Sequence, residues 1–113
     1  RTASVCGATV ALHLAFKTLV ARKLIAKVPM SDLVVAVSAG LVQGDAVLDL
    51  DYAEDSTAEA DANFVLTAGG KLIEVQGTAE KSPFSRTQLN ELLDLAEGAA
   101  ATLAALQRQA LGL

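Results

Sequence analysis

The sequence predicts an α+β domain: a four-stranded, mainly antiparallel sheet flanked by an N-terminal and a C-terminal helix. Three observations point there. The chain begins with a helical run rich in Ala, Leu and Val, continues through four segments of strand character separated by Gly-containing turns, and ends in a capped helix of regular apolar spacing. Its 113 residues, 52% of them apolar, suit a single domain over 1–113 with a buried core.

Ser4 or Thr2 can cap the first helix, which runs to about Lys23 and is apolar nearly all round, the composition of a helix covered on more than one side. Its uncharged stretch from Thr2 to Phe16 falls short of the ~20 residues that a membrane-spanning helix needs. It is therefore read as a buried helix and not as an anchor. Pro29 ends the following segment in the loop "KVPMSD". Residues 33–42, "LVVAVSAGLV", form a β-branched run consistent with a strand buried on both faces. "QGD" at 43–45 turns the chain into "AVLDLDY" at 46–52, where Leu48 and Leu50 point one way and Asp49 and Asp51 the other. "AEDSTAEAD" connects to the strand "NFVLT", Gly69-Gly70 makes a tight turn, and "KLIEVQG" returns. Ser85 with Gln88 is a capping box, Phe84 can staple onto Leu89, and Leu92, Leu93, Ala96, Ala99, Ala100, Leu103 and Leu106 continue at helical spacing.

Net charge is −4, against a sequence-blind nucleic-acid binder, but the acidity is local. Six of the thirteen acids lie between 49 and 61, a stretch without Lys or Arg, and the rest of the chain is slightly basic. A lone cysteine, Cys6, excludes an internal disulfide and agrees with a reducing compartment. No basic leader opens the chain, so nothing speaks for secretion. The abrupt start on Arg1, without an initiator methionine or a leading strand, is what a fragment of a longer chain would show.

Asp55 and Asp61 are six residues apart on either side of a strand connection that can bring their carboxylates together. Two such groups repel unless a proton or cation sits between them, and hard oxygen ligands favour Mg²⁺ or Mn²⁺, ions that act on phosphates. The competing reading is an acidic loop that faces water. Glu74 and Gln76 project to one face of a strand, and if that face looks onto the aspartates the four line one pocket. An exposed sheet face is their alternative. Arg1, just before a helix N-terminus, suits an anion such as phosphate. Cys6 and His13 share a helix face but lie ~10 Å apart, too far for a nucleophile and its base. Ser38 lacks the G-x-S-x-G surround, no Cys/His spacing suits zinc, and four aromatic residues are too few for a base-stacking sheet.

"RTASVCGATVAL", "DLVVAVSAGLVQGDAVLDLDYAEDS", "EADAN" and "IEVQGTAEKSPFSRTQLNELLDLA", in this order, resemble the C-terminal half of the ribonuclease PH family of bacterial phosphorolytic 3′-to-5′ exoribonucleases. The resemblance covers essentially the whole chain and implies a ribonuclease PH-like, ribosomal protein S5 domain 2-like fold. By position it implies that Arg1 and Thr2, at the end of the G-T-R-T-A motif whose Gly-Thr is missing here, bind the attacking phosphate. It makes Asp55 and Asp61 metal-binding and catalytic, adds Lys71 as a basic catalytic position, and leaves Asn63, Glu74 and Gln76 as surrounding polar groups. Ala62 and Phe64 depart from the family's usual methionine and valine, which touches packing beneath the site and not the carboxylates.

The implied activity is release of nucleoside diphosphates from RNA 3′ ends by inorganic phosphate, with Mg²⁺ or Mn²⁺. The implied setting is trimming of precursor tRNA (a tRNA nucleotidyltransferase activity) and rRNA processing by a cytoplasmic bacterial homo-oligomer, a hexameric ring with no membrane association. The half-chain alone is expected to be inactive. The alternative is a catalytically inactive ring subunit of the exosome type that acts as an RNA-binding scaffold.

Overall fold

A computed structural model describes residues 1–48 and 56–113. Helix α1 (Thr2–Ala21) is followed by strands β1 (Val34–Val42), β2 (Asp45–Leu48), β3 (Ala60–Thr67) and β4 (Leu72–Ala79), and helix α2 (Arg86–Leu111) closes the chain. The strands form one antiparallel sheet in the order β2-β1-β3-β4. The expected α+β architecture is present.

Each junction has a local cause. Val42 pairs with Asp45, so Gln43 and Gly44 make a two-residue hairpin turn, and both have positive φ (53° and 81°), as the twist of paired strands favours. Gly70 (φ 90°) turns β3 into β4, and its N–H donates to the Thr67 carbonyl at 2.9 Å. Asp32 holds this turn against the entry to β1: its Oδ1 accepts from the Leu33 N–H (2.8 Å) and its Oδ2 from the Gly69 N–H (2.9 Å). The start of α2 matches its sequence signal in full. Ser85 Oγ accepts from the Gln88 N–H at 3.1 Å, and Gln88 Oε1 accepts from the Ser85 N–H at 2.8 Å. Gly112, at φ 72°, ends the helix.

The core lies between one face of the sheet and α2. Val35, Val37, Ala39 and Leu41 of β1 and Ala60, Ala62, Phe64 and Leu66 of β3 alternate inward and meet Leu92, Ala96, Ala100 and Ala104 of α2. Small residues on both sides let the helix approach closely, while Phe64, Leu41, Leu66 and Leu92 are the bulkiest fully buried side chains among the described residues. Phe84 and Leu89 pack at its margin.

Helix α1 differs from expectation in three respects. It ends at Ala21; its N-cap is Arg1 with no side-chain cap, and Ser4 Oγ instead donates to the Arg1 carbonyl at 2.6 Å. Only Thr9 and His13 are buried in it, and Leu12 and Leu14 are half exposed, so it is not covered on several sides. Continuation through Lys17 to Ala21 also makes it 20 residues, long and apolar enough by length and composition to cross a membrane. The uncharged stretch stops at Phe16, but the helix, expected to about Lys23, continues past Lys17. What α1 does contact is the edge of β1: the Ala36 N–H meets Cys6 Sγ at 3.4 Å and the thiol reaches the Ala36 carbonyl at 3.6 Å.

Strand β4 pairs only with β3, and all eight of its residues are exposed. The β3–β4 ladder slips at Val65/Leu66, where Ile73 is the extra residue of a bulge. Glu74 and Gln76 are therefore not buried, because no helix among the described residues covers the last strand.

Candidate active site

The sheet face turned away from α2 is polar. β3 alternates buried and half-buried residues, so that Ala60, Ala62, Phe64 and Leu66 face the core and Asp61, Asn63 and Val65 face away. Strand pairing sets their neighbours. Asp61 lies between Gly40 and Thr78, Asn63 between Ser38 and Gln76, and Val65 between Ala36 and Glu74. Directly opposed residues share a face, so Asp61, Asn63, Gln76 and Glu74 form one strip with Thr78 and Ser38 among them.

Asp61 itself belongs to β3, although the acidic run before Asn63 reads as a connecting loop. Its half-buried carboxylate has no hydrogen-bond or ion-pair partner among the described residues. Asp55, its expected companion, lies outside the described residues, and so do Asp49 and Asp51. Among the described residues no three His, Cys, Asp or Glu side chains cluster to hold a metal ion. Asp61 is a hard oxygen donor of the kind Mg²⁺ takes.

Arg1 reaches the same strip from α1. Its Nη2 donates to Glu74 Oε1 at 3.0 Å, an ion pair between half-exposed side chains 73 positions apart. This contact brings the Arg1 guanidinium to β4, while the start of α1 itself lies against β1, where Thr2 and Ala3 line a cavity with Ala36, Val37 and Ser38.

The strip has length. Glu74 is four residues along β4 from Thr78, the partner of Asp61, which corresponds to about 13 Å. Gln76 is half as far. Lys71 is not brought to Asp61: its carbonyl accepts from the Thr67 N–H beside the hairpin turn, and six extended residues from Asp61 to Thr67 span about 20 Å. Lys71 therefore stands at the far end of the hairpin from Asp61. Thr78 and Ser38 escaped sequence reasoning, since only the register of pairing places a Thr and a Ser beside acids distant in the chain.

The fold and this strip define a class: an antiparallel sheet backed by a long helix, with a strip of polar side chains on its other face that carries an aspartate without a partner among the described residues. The profile of the 3′ exoribonuclease family, domain 2, matches residues 32–99, and the chain belongs to that family. Ribonuclease PH of Methylorubrum populi is 58% identical over 111 residues, covering 98% of this chain and 47% of the relative. Ribonuclease PH of Synechococcus sp. is 56% identical over 110 residues, 97% of this chain and 44% of the relative. The chain spans about half the length of these curated relatives. Among solved structures, rice Rrp46 has a TM-score of 0.65 at 20% identity over 91% of this chain and 46% of its own. An Archaeoglobus fulgidus exosome with RNA bound to the active site has a TM-score of 0.58 at 21% identity over 67% of this chain and 30% of its own. These two likenesses concern the fold.

Proposed function

We propose that this chain is the C-terminal half of a phosphorolytic 3′-to-5′ exoribonuclease whose polar strip carries the chemistry. The observation that carries the reading is the unpartnered Asp61 carboxylate on the open face of β3, in a chain of the 3′ exoribonuclease family. The RNA 3′ end lies along the strip. Asn63, Gln76 and Thr78 offer hydrogen bonds to its sugar and phosphate oxygens, and Ser38 adds a hydroxyl from β1. Arg1 and the N–H groups at the start of α1 hold inorganic phosphate at the Glu74 end, and the terminal nucleotide and the phosphate together fill the interval to Asp61.

Asp61, with Asp55, would hold Mg²⁺ or Mn²⁺, which when bound neutralises charge developing on the phosphate oxygens. Phosphate is its own nucleophile at neutral pH and needs no strong base, which suits a strip without histidine. The products are a nucleoside diphosphate and an RNA one nucleotide shorter. The substrate class is precursor tRNA 3′ ends, in a bacterial cytoplasmic enzyme that assembles into a ring, where neighbouring subunits and the other half of the protein supply the basic surface this acidic half lacks.

The test is phosphorolysis by the full-length protein. A short RNA with a free 3′ end is incubated with Mg²⁺, with and without inorganic phosphate, and the released nucleotide is identified. Diphosphates that require phosphate and disappear with Asp61→Asn support the reading. Monophosphates without phosphate mean hydrolysis, and RNA binding without cleavage means an inactive ring subunit of the exosome type.

A further inference from the structure

We infer that Glu74 is a positioning residue for phosphate, acting through Arg1. The inference rests on the phosphorolytic reading above and adds to it a role for the carboxylate at the end of the strip.

Arg1 is the N-cap of α1, and its side chain is 62% exposed. An arginine in that position has many rotamers open to it, and holding a bound anion in one geometry costs the freedom of that side chain. Glu74 removes part of that freedom beforehand. Its Oε1 takes a single N–H, from Nη2, at 3.0 Å. A guanidinium has five donors, so Nη1 and Nε keep theirs for a phosphate oxygen. Had the pair been bidentate, Glu74 would compete with phosphate for the same fork. The one-point contact instead orients it.

The backbone places Glu74 for this task. It stands on β4 opposite Val65, on the face that carries Asp61 and Asn63, at the end of the strip nearest α1. The contact joins residues 73 positions apart and so ties the residue that opens α1 to the last strand. A neutral residue at 74 would leave the guanidinium less fixed, without touching the carboxylate end of the strip. An exposed ion pair is weak, and its loss amounts to about a two- to fivefold effect.

The measurement is steady-state phosphorolysis by the full-length protein, with KM for phosphate and kcat determined separately for the parent, Glu74→Ala, Arg1→Lys and the double variant, together with thermal unfolding of each. The expected result is a two- to fivefold rise in KM for phosphate in Glu74→Ala, with kcat at saturating phosphate within twofold of the parent and the same unfolding midpoint. In the Arg1→Lys background, Glu74→Ala adds less than it does alone. A lowered KM would make Glu74 a competitor of phosphate and overturn the inference. An unchanged KM, a fall in kcat alone, or full additivity in the double variant would overturn it as well. Absence of phosphorolysis in the parent itself would remove the functional reading and this inference with it.

Discussion

Gln107 holds α1 to the sheet by donating through Nε2 to two carbonyl oxygens, that of Cys6 in α1 at 3.2 Å and that of Val34 in β1 at 2.9 Å. One buried side chain of α2 thus joins a helix and a strand that also meet through Cys6 and Ala36. Gln107→Leu leaves both carbonyls without this donor, and a loss of about 1–3 kcal/mol is expected in urea unfolding of the full-length protein.

Phe64 is the largest fully buried side chain among the described residues and belongs to the core between the sheet and α2. Phe64→Ala removes it from a packed interior and should cost about 3–5 kcal/mol. A drop in the urea midpoint with an unchanged slope reports that loss; a cost under 1 kcal/mol would mean the core collapses around the gap.

The capping box of α2 predicts a graded response. Ser85→Ala frees the Gln88 N–H and should destabilise by about 0.5–2 kcal/mol, while Ser85→Asp keeps an acceptor there and should cost little. Equal effects of the two substitutions would show that the cap contributes nothing.

Gln43 occupies the left-handed region at φ 53°, where a Gln side chain is strained and Asn is better tolerated. Gln43→Asn should stabilise the β1–β2 hairpin by up to about 1 kcal/mol. A higher unfolding midpoint is the readout, with RNA phosphorolysis unaltered.

Asp61→Asn separates chemistry from folding. Its carboxylate supports no partner among the described residues, so the substitution should leave the unfolding midpoint unchanged while phosphate-dependent diphosphate release falls at least a hundredfold. A protein that loses stability and activity together would assign Asp61 a structural role.

Local signals were the legible ones. The Ser85/Gln88 box, the Gly69-Gly70 turn and the β-branched run of β1 each lie within a few residues, and each forms where the sequence places it. Non-local effects were less so. Asp61 reads as loop because acids surround it, yet pairing with β1 and β4 draws Asp61 into a strand. Glu74 and Gln76 share the expected face but stay exposed, since alternation tells which residues go together and not what covers them. Lys71 was placed near the aspartates by the resemblance alone, and the extended geometry of the hairpin sets it at the other end from Asp61. The apolar composition of α1 suggested enclosure, whereas in this half of the relatives' length most of its surface is uncovered.

The unpaired side of β4 carries a consequence of its own. A strand whose outer edge has no pairing strand among the described residues, and with Leu72, Ile73 and Val75 half exposed, is a template on which another extended chain can add. The bulge at Ile73 spoils its flatness, Gly77 weakens its strand character, and Lys71 and Lys81 bracket it with positive charge. These are the features by which natural sheets resist growth into fibres, so the strand that presents Glu74 and Gln76 is also the one whose sequence guards the domain's solubility.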